Sequence, residues 1–398
     1  MLISDENPLG HGMGAEPESK DWPHINEIEL SRLKKNYIEL DGDLKIIWRS
    51  PRPFSSALIV EVHSNNGDDN NSERNLYFIK RSYHSFRKVK DLLEEHEFIR
   101  YLQRVGINVP RLVHSLQNTT ALQIGNWTYE VHHRADGLDI YADQLSWKPF
   151  YYPEHAAKAG ELLAKLHNRA EYFLNKEGRS ARYLVSNQKL LESDDIVLAI
   201  KKRIRSSRDL KSYFADKDID QKFFDQISHV HQKVKVALQT APKIWTHNDF
   251  HASNLLWSEN TSKANVSTLI DFGLSDRNSA IYDLAVAIER NFIDWLNLEN
   301  SQEIYIDQIG LATFIQAYLS NIESASNLKF LPDLLKIVHL DFAFSELEYF
   351  IGITKNLKHA DAAYYDWILS HTYWFTSEYG QKFTEYLTYL INLKPSQN

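Results

Sequence analysis

The chain has 398 residues, a formal net charge of −8 and no cysteine. That length suits roughly two to three domains at ~150 residues each, with a core of substantial size. The acidic balance argues against a nucleic-acid binder, and the missing thiols exclude disulfides and thiolate metal sites.

Residues 1–24 are polar and bear Gly and Pro, which predicts a loose leader segment rather than a secretory signal. No run approaches ~18 uncharged apolar residues, so no membrane span and a cytoplasmic location are expected. A short polar helix is placed near Ile28–Tyr37. Strands follow over Leu44–Arg49, Ala57–His63 and Leu76–Arg81, where β-branched and aromatic residues run or alternate. The polar stretch Ser64–Glu73 between the last two reads as a hairpin loop. Leu92, Leu93, His96, Ile99, Leu102 and Val105 then recur at helical spacing, predicting a helix over Phe86–Val105 that stops at Gly106 before Pro110. Short strands fit Arg111–His114, Ala121–Ile124 and Trp127–His132.

After Gly137 helices dominate: Pro153–Ala170, Asp194–Arg203, Lys222–Leu238, Ile304–Ile322, Pro332–Ile353 and Ala362–Leu390, interrupted by a strand-like Val266–Asp271. The pattern divides the chain into a leader (1–24), an N-terminal lobe (25–135) and a C-terminal lobe (136–398). The expected class is α+β and bilobal: a small antiparallel-sheet lobe with one helix, then a larger, mainly helical lobe.

The chemistry concentrates in Thr246-His247-Asn248-Asp249-Phe250-His251-Ala252-Ser253-Asn254 and in Leu269-Ile270-Asp271-Phe272-Gly273. Phosphoryl transfer asks little of a protein: a carboxylate near the attacking hydroxyl and oxygen ligands that hold Mg²⁺ against the phosphates. Asp249 supplies the carboxylate, and Asn254 and Asp271 supply the metal oxygens. A lysine for the α/β-phosphates should lie upstream on a strand, oriented by a helix carboxylate. Lys80 and Glu95 fit. Alternation puts Lys80 with Phe78 on one face and Tyr77 with Ile79 on the other, which favours Lys80 over Arg81. Glu95 is preferred to Glu94 and Glu97 by its position around the helix.

These residues resemble the aminoglycoside phosphotransferase/choline kinase-like family, which shares the protein-kinase fold. The pattern His-x-Asp-x-x-x-x-Asn is met by His247, Asp249 and Asn254, and the family's metal-binding aspartate by Asp271. Leu102, Gly106 and Pro110, the run Gly160–His167, and Asp283-Leu284-Ala285 match further family features, so the resemblance spans about Asp43 to Arg290. It implies a kinase that moves the γ-phosphate of ATP or GTP, with Mg²⁺ or Mn²⁺, onto a hydroxyl of a small cationic or zwitterionic acceptor such as an aminoglycoside or amino alcohol. The family pattern is departed from at one point: there is no Gly-x-Gly-x-x-Gly loop. The turn Ser50–Ser56 stands in its place, with Ser55, Ser56 and nearby backbone N–H groups expected to hold the phosphate oxygens.

Plainer readings compete. Asp249 with Asn254 alone would suit a self-bonded turn; in order with Lys80 and Asp271 it does not stand alone. His247 is read as packing beneath the loop and fixing it, and no zinc pattern surrounds His247 and His251. Asp283 either braces the backbone at His247 or caps a helix beginning at Leu284. A protein kinase would share the aspartates, but too little chain separates Gly273 from Asp283 for an activation segment. A non-catalytic nucleotide-binding module would have lost a key position, and none is lost. Acceptor partners are sought after Arg290, among Asp294, Asp341, Glu346 and Glu348. No nucleic acid or membrane partner is expected, and the oligomeric state is not legible.

Overall fold

Five strands form one antiparallel sheet in the order β1-β2-β3-β5-β4. They are β1 (Asp43–Arg49), β2 (Ser56–His63), β3 (Leu76–Tyr83), β4 (Ala121–Ile124) and β5 (Trp127–His133). The computed structural model describes residues 21–52, 54–63, 75–144, 147–217, 219–298, 303–324 and 327–393. Most of the leader and all of the Ser64–Glu73 loop therefore lie outside the described residues. The proposed strand Arg111–His114 is reduced to a single bridge, Leu112 to His132.

The alternation seen in the sequence sorts the two faces of the sheet. Leu58, Val60, Tyr77, Ile79, Tyr129 and Val131 point to one side, where helix α1 (Glu27–Lys34) closes them with Leu30 and Leu33 into a small core. Asn26 and Glu29 form a capping box that starts α1. Phe78, Lys80, Glu130 and His132 lie on the other face, under helix α2 (Val89–Arg104). Gly106, at φ +78°, ends α2 in the left-handed conformation that suits glycine.

Helix α2 faces two ways. Its His96 meets the sheet at Glu130, while Phe98 packs on Phe173, Trp245 and Phe272 of the helical part. At the crossing between the two parts Gly137 adopts φ +111°, and a Cβ there would come within 2.9 Å of Leu256 and Ser267. The chain is thus pressed against a two-stranded ribbon of β7 (Leu255–Trp257) and β8 (Val266–Leu269). A second ribbon pairs β6 (Ile244–Thr246) with β9 (Asp276–Asn278). Both ribbons hold the loops that carry the chemistry.

The helices that build the rest are α3 (Pro153–Ala170), α4 (Ile196–Ser206), α5 (Arg208–Tyr213), α6 (Gln221–Thr240), α7 (Ala280–Phe292), α8 (Gln308–Asn321), α9 (Leu331–Leu335), α10 (His339–Tyr349), α11 (Leu357–Ala362), α12 (His371–Trp374) and α13 (Glu378–Asn392). Helix α8 starts at Gln308 rather than Ile304 because the Asp307 carboxylate accepts from Gly310 N and fixes the first turn. The long apolar stretches expected as single helices are broken. A turn separates α9 from α10, π-helical stretches occupy Phe350–Thr354 and Ala363–Ser370, and Ser377 caps a fresh start for α13. Apolar periodicity continues across these joints, which is why they do not show in the sequence.

Candidate active site

The loop after β6 carries Asp249. His247 beneath it is fully buried: its Nδ1 accepts from Asp249 N at 3.2 Å and its Nε2 donates to Ile270 O at 3.0 Å. Burial pushes its imidazole down, in keeping with a neutral ring. Asp283, in the first turn of α7, takes His247 N at 3.1 Å and Asn248 N at 2.7 Å, and its Oδ2 also meets His167 Nε2 at 3.0 Å. The residue at the N-cap of α7 is Ser279, so Asp283 grips the loop rather than capping the helix. Asn248 stands at φ +60° and Asp271 at φ +57°, left-handed values that are uncommon outside glycine, and both flank the site.

Asn254 donates through Nδ2 to Asp249 O at 2.8 Å, which leaves its amide oxygen as the ligand-capable atom. Its carbonyl accepts from Ile270 N at 3.0 Å, tying the Asp249 loop to the end of β8 where Asp271 follows. Asp271 receives Lys80 Nζ at 3.1 Å. Burial alone would raise this carboxyl, but the Lys80 ammonium and the Gly273 N–H together bring it down to about 2. An ionised carboxylate beside an amide oxygen is the hard-oxygen donor set that suits a Mg²⁺-like cation.

The structure separates Lys80 from its rivals and then departs from expectation. Arg81 points to the opposite face, where it pairs with Glu29 at 2.5 Å and lies over Trp127. Lys80, however, does not pair with Glu95. Glu95 is buried and meets Arg179 at 3.2 Å. Arg179 also donates to Gly273 O at 2.6 Å and to Asp91 O at 3.1 Å. It binds α2 to the Asp271–Gly273 turn and takes the carboxylate that a lysine partner would need. Glu94 and Glu97 accept from Ser180 and Asn175.

Ser56 is buried at the start of β2, where its hydroxyl accepts from Ile25 N at 3.2 Å and so ties down the chain before α1. Ser55 remains part-exposed in the turn. Two cations that the sequence did not single out face the same region. Arg52, in that turn, is drawn on by Asp139 and Asp271, and Arg87 carries its guanidinium to within 3.9 Å of where a Cβ on Gly273 would lie. Behind Lys80, Glu130 accepts from His96 at 3.1 Å and His132 at 2.8 Å. Burial works against its charge, yet these bonds hold it well below the usual carboxyl range.

A small cavity of about 20 Å³ is bordered by Trp147, Glu289, Arg290, Phe342, Glu346 and Trp367. Arg290 of α7 makes an ion pair with Asp249. Of the four acidic residues proposed for the acceptor, only Glu346 reaches this cavity. Asp294 is held by Lys148 at 2.5 Å, and Asp341 and Glu348 share Arg203. Arg290 and Glu289 were not singled out from the sequence; their place directly after the apolar α7 run Leu284–Ile288 was the available signal.

A kinase-like fold with a carboxylate loop, an Asn–Asp oxygen pair and a strand lysine defines a phosphotransferase. The model of the phosphotransferase enzyme family matches residues 65–318, and the chain belongs to that family. No curated protein sequence matches it. Among solved structures it is similar to a microcompartment-associated aminopropanol kinase, with a TM-score of 0.56 and 11% identity over 91% of this chain and 99% of that one. An amicoumacin kinase in complex with AMP-PNP, Ca²⁺ and Ami gives 0.53 and 14%, over 87% and 95%. A spectinomycin phosphotransferase in complex with ADP and spectinomycin gives 0.50 and 16%, over 94% and 100%. At these identities the likeness is one of fold. Among the described residues no helix is long and apolar enough to cross a membrane.

Proposed function

We propose that this phosphotransferase moves the γ-phosphate of ATP, or of GTP, onto a hydroxyl of a small cationic or zwitterionic acceptor such as an aminoglycoside or amino alcohol, with Asp249 as the base. Residues 25–135 serve the nucleotide, and residues 136–398 carry the catalytic loop and the acceptor helices. The observation that carries the reading is the convergence of Asp249, Asn254, Asp271 and Lys80 through three short links, Asn254 Nδ2 to Asp249 O at 2.8 Å, Ile270 N to Asn254 O at 3.0 Å and Lys80 Nζ to Asp271 Oδ1 at 3.1 Å.

In this reading the acceptor oxygen attacks the γ-phosphorus and forms the new P–O bond. The bond from that phosphorus to the bridging β-phosphate oxygen breaks, the nucleoside diphosphate leaves, and the acceptor proton passes to the Asp249 carboxylate. Asn254 Oδ1 and Asp271 would hold Mg²⁺ or Mn²⁺, which when bound neutralises phosphate charge. Lys80 adds a cation on the phosphate side, supported by Arg52 and Arg87. His247 and Asp283 keep the Asp249 loop in place. The similar structures of an aminopropanol kinase and a spectinomycin phosphotransferase agree in kind with this class. The test is ADP or GDP release across a library of hydroxylated amines, with and without EDTA. An acceptor-dependent, EDTA-sensitive rate is expected; a rate never above the water background, or one that EDTA leaves untouched, counts against the proposal.

A further inference from the structure

We propose that His96, Glu130 and His132 form a second metal site, separate from the Asn254 and Asp271 oxygens, that takes a zinc-class divalent ion and ties helix α2 to the sheet. Its ligands take no part in the proposed phosphoryl transfer.

Glu130 and His132 lie two residues apart on β5, so their side chains leave the same face of the strand. His96 comes onto that face from the middle of α2. Both imidazoles bring Nε2 to one atom, Glu130 Oε2, at 3.1 Å from His96 and 2.8 Å from His132. The three ligand atoms all lie within 4.8 Å of one another. Zinc bonds of about 2.0–2.2 Å at tetrahedral angles put neighbouring ligand atoms about 3.4 Å apart, so small side-chain turns open the cluster around an ion. The side chains of His96, Glu130 and His132 are 0, 5 and 8% exposed, which keeps competing water away. His96 Nδ1 meets the Thr120 hydroxyl at 2.8 Å. With the ring proton on Nδ1 and donated there, Nε2 keeps its lone pair for a metal, the outer hydrogen bond that ligating histidines use. His132 Nδ1 has no partner among the described residues, so one hydrogen bond holds that ring and it turns toward an ion at little cost. Lys80 lies across from Glu130 on β3, but its ammonium is engaged by Asp271 at 3.1 Å. Two imidazole nitrogens and a carboxylate oxygen favour zinc-class ions over Mg²⁺, whereas Asn254 and Asp271 offer oxygen alone. The second Glu130 oxygen or a water fills the fourth position. Helix α2 also carries Glu95, which holds Arg179 and through it Gly273, so occupancy braces the helix that frames the nucleotide side.

The experiment uses the full chain without an affinity tag, stripped with EDTA, dialysed and held in excess Mg²⁺ to fill the oxygen site. Co²⁺ is titrated in as the spectroscopic probe and Zn²⁺ as its competitor. A single Co²⁺ per chain should bind with the visible absorption of a low-coordinate site bearing nitrogen ligands. Zn²⁺ should bleach that absorption, and either ion should raise the melting temperature. His96→Gln and His132→Gln should each weaken Co²⁺ binding by more than about tenfold, since loss of an outer partner alone costs about 10–100-fold. Thr120→Val, which removes that outer partner at nearly constant shape, should weaken binding and keep the spectrum. Asp271→Ala should bind Co²⁺ as the wild type does, because its carboxylate belongs to the other site. Circular dichroism checks folding; if the histidine variants do not fold, the wild-type spectrum, Thr120→Val and Asp271→Ala carry the test. No absorption and no shift in melting temperature would overturn the proposal. Affinity unchanged in both histidine variants would place the ion on surface groups, and binding lost in Asp271→Ala would place it at the oxygen pair; either result overturns it as well.

Discussion

Lys80 Nζ stands 3.1 Å from Asp271 Oδ1, so a strand of the five-stranded sheet and the turn after β8 are joined by one ion pair. The pair spans the two parts of the molecule and leaves Glu95 to Arg179. Lys80→Ala should therefore do two things. It removes a cation from the phosphate side, and it leaves the Asp271 carboxylate without its closest counter-charge. A fall of about 10²–10³-fold in kcat/KM is expected, the scale for loss of one preorganised electrostatic group. Far-ultraviolet circular dichroism should be unchanged, because the Lys80 side chain is 22% exposed and anchors no core. Turnover at the wild-type rate would reject the assignment.

The metal assignment separates two residues of different strength. Asp271 is ionised, with its carboxyl held at about 2 after burial is outweighed by Lys80. Asn254 offers a neutral oxygen and spends its amide N–H on Asp249 O. Asp271→Ala should abolish Mg²⁺-dependent turnover, and Asn254→Ala should retain part of it at raised Mg²⁺. A magnesium titration of both variants decides the order; equal, magnesium-independent losses would argue for a shared structural role.

Much of the small lobe is legible in the sequence because period-2 alternation in β2 and β3 and period-3.6 spacing in α2 are strong local signals. The same alternation separates Lys80 from Arg81. The site is legible only where it is compact in sequence, from His247 to Asp271. Arg179 and Arg290 escape because their meaning lies in partners far along the chain, Glu95 and Asp249. The contact of Ile25 N with the Ser56 hydroxyl escapes for the same reason, since 31 residues separate the two. Strands β6, β7 and β9 are three residues each, too short to show a period.

Asp283 should prove a stability residue. It is fully buried and satisfies two backbone N–H groups and His167 at once. Asp283→Ala leaves those donors unpaired and should cost roughly 3–5 kcal/mol, the scale for breaking a buried charged network. Asp283→Asn keeps the shape and should cost less. Thermal melts rank the two; an unchanged midpoint for the alanine variant would refute the bracing role.

Glu289 and Glu346 predict a pH dependence of stability. Burial pushes both carboxyls from 4.5 up to about 8, with Arg290 only partly opposing this for Glu346. Between those values the unfolded chain has lost the proton and the folded chain keeps it. Stability from these groups is present at low pH, falls as pH rises through the interval and levels off above about 8. Glu346→Gln mimics the protonated form and should gain on wild type as melts move from pH 5 to pH 8. A constant difference across that range would show that Glu346 is ionised in the fold.

Asp249→Asn isolates the chemical step. The side chain keeps its shape and one acceptor oxygen but loses its charge and its basicity. A general base contributes about 10²–10⁴-fold, so kcat with an accepted hydroxyl substrate should fall by that amount. Nucleotide affinity measured by calorimetry should hold, because the Asp249 carboxylate pairs with Arg290, while Lys80 and Asp271, proposed for the phosphate side, pair with each other. The Asn248 N–H and the His247 ring hold the loop through Asp283 and Ile270, and neither contact uses the Asp249 carboxylate, so folding should survive. Near-normal turnover would remove Asp249 from the reaction, and lost nucleotide binding would recast it as part of the scaffold.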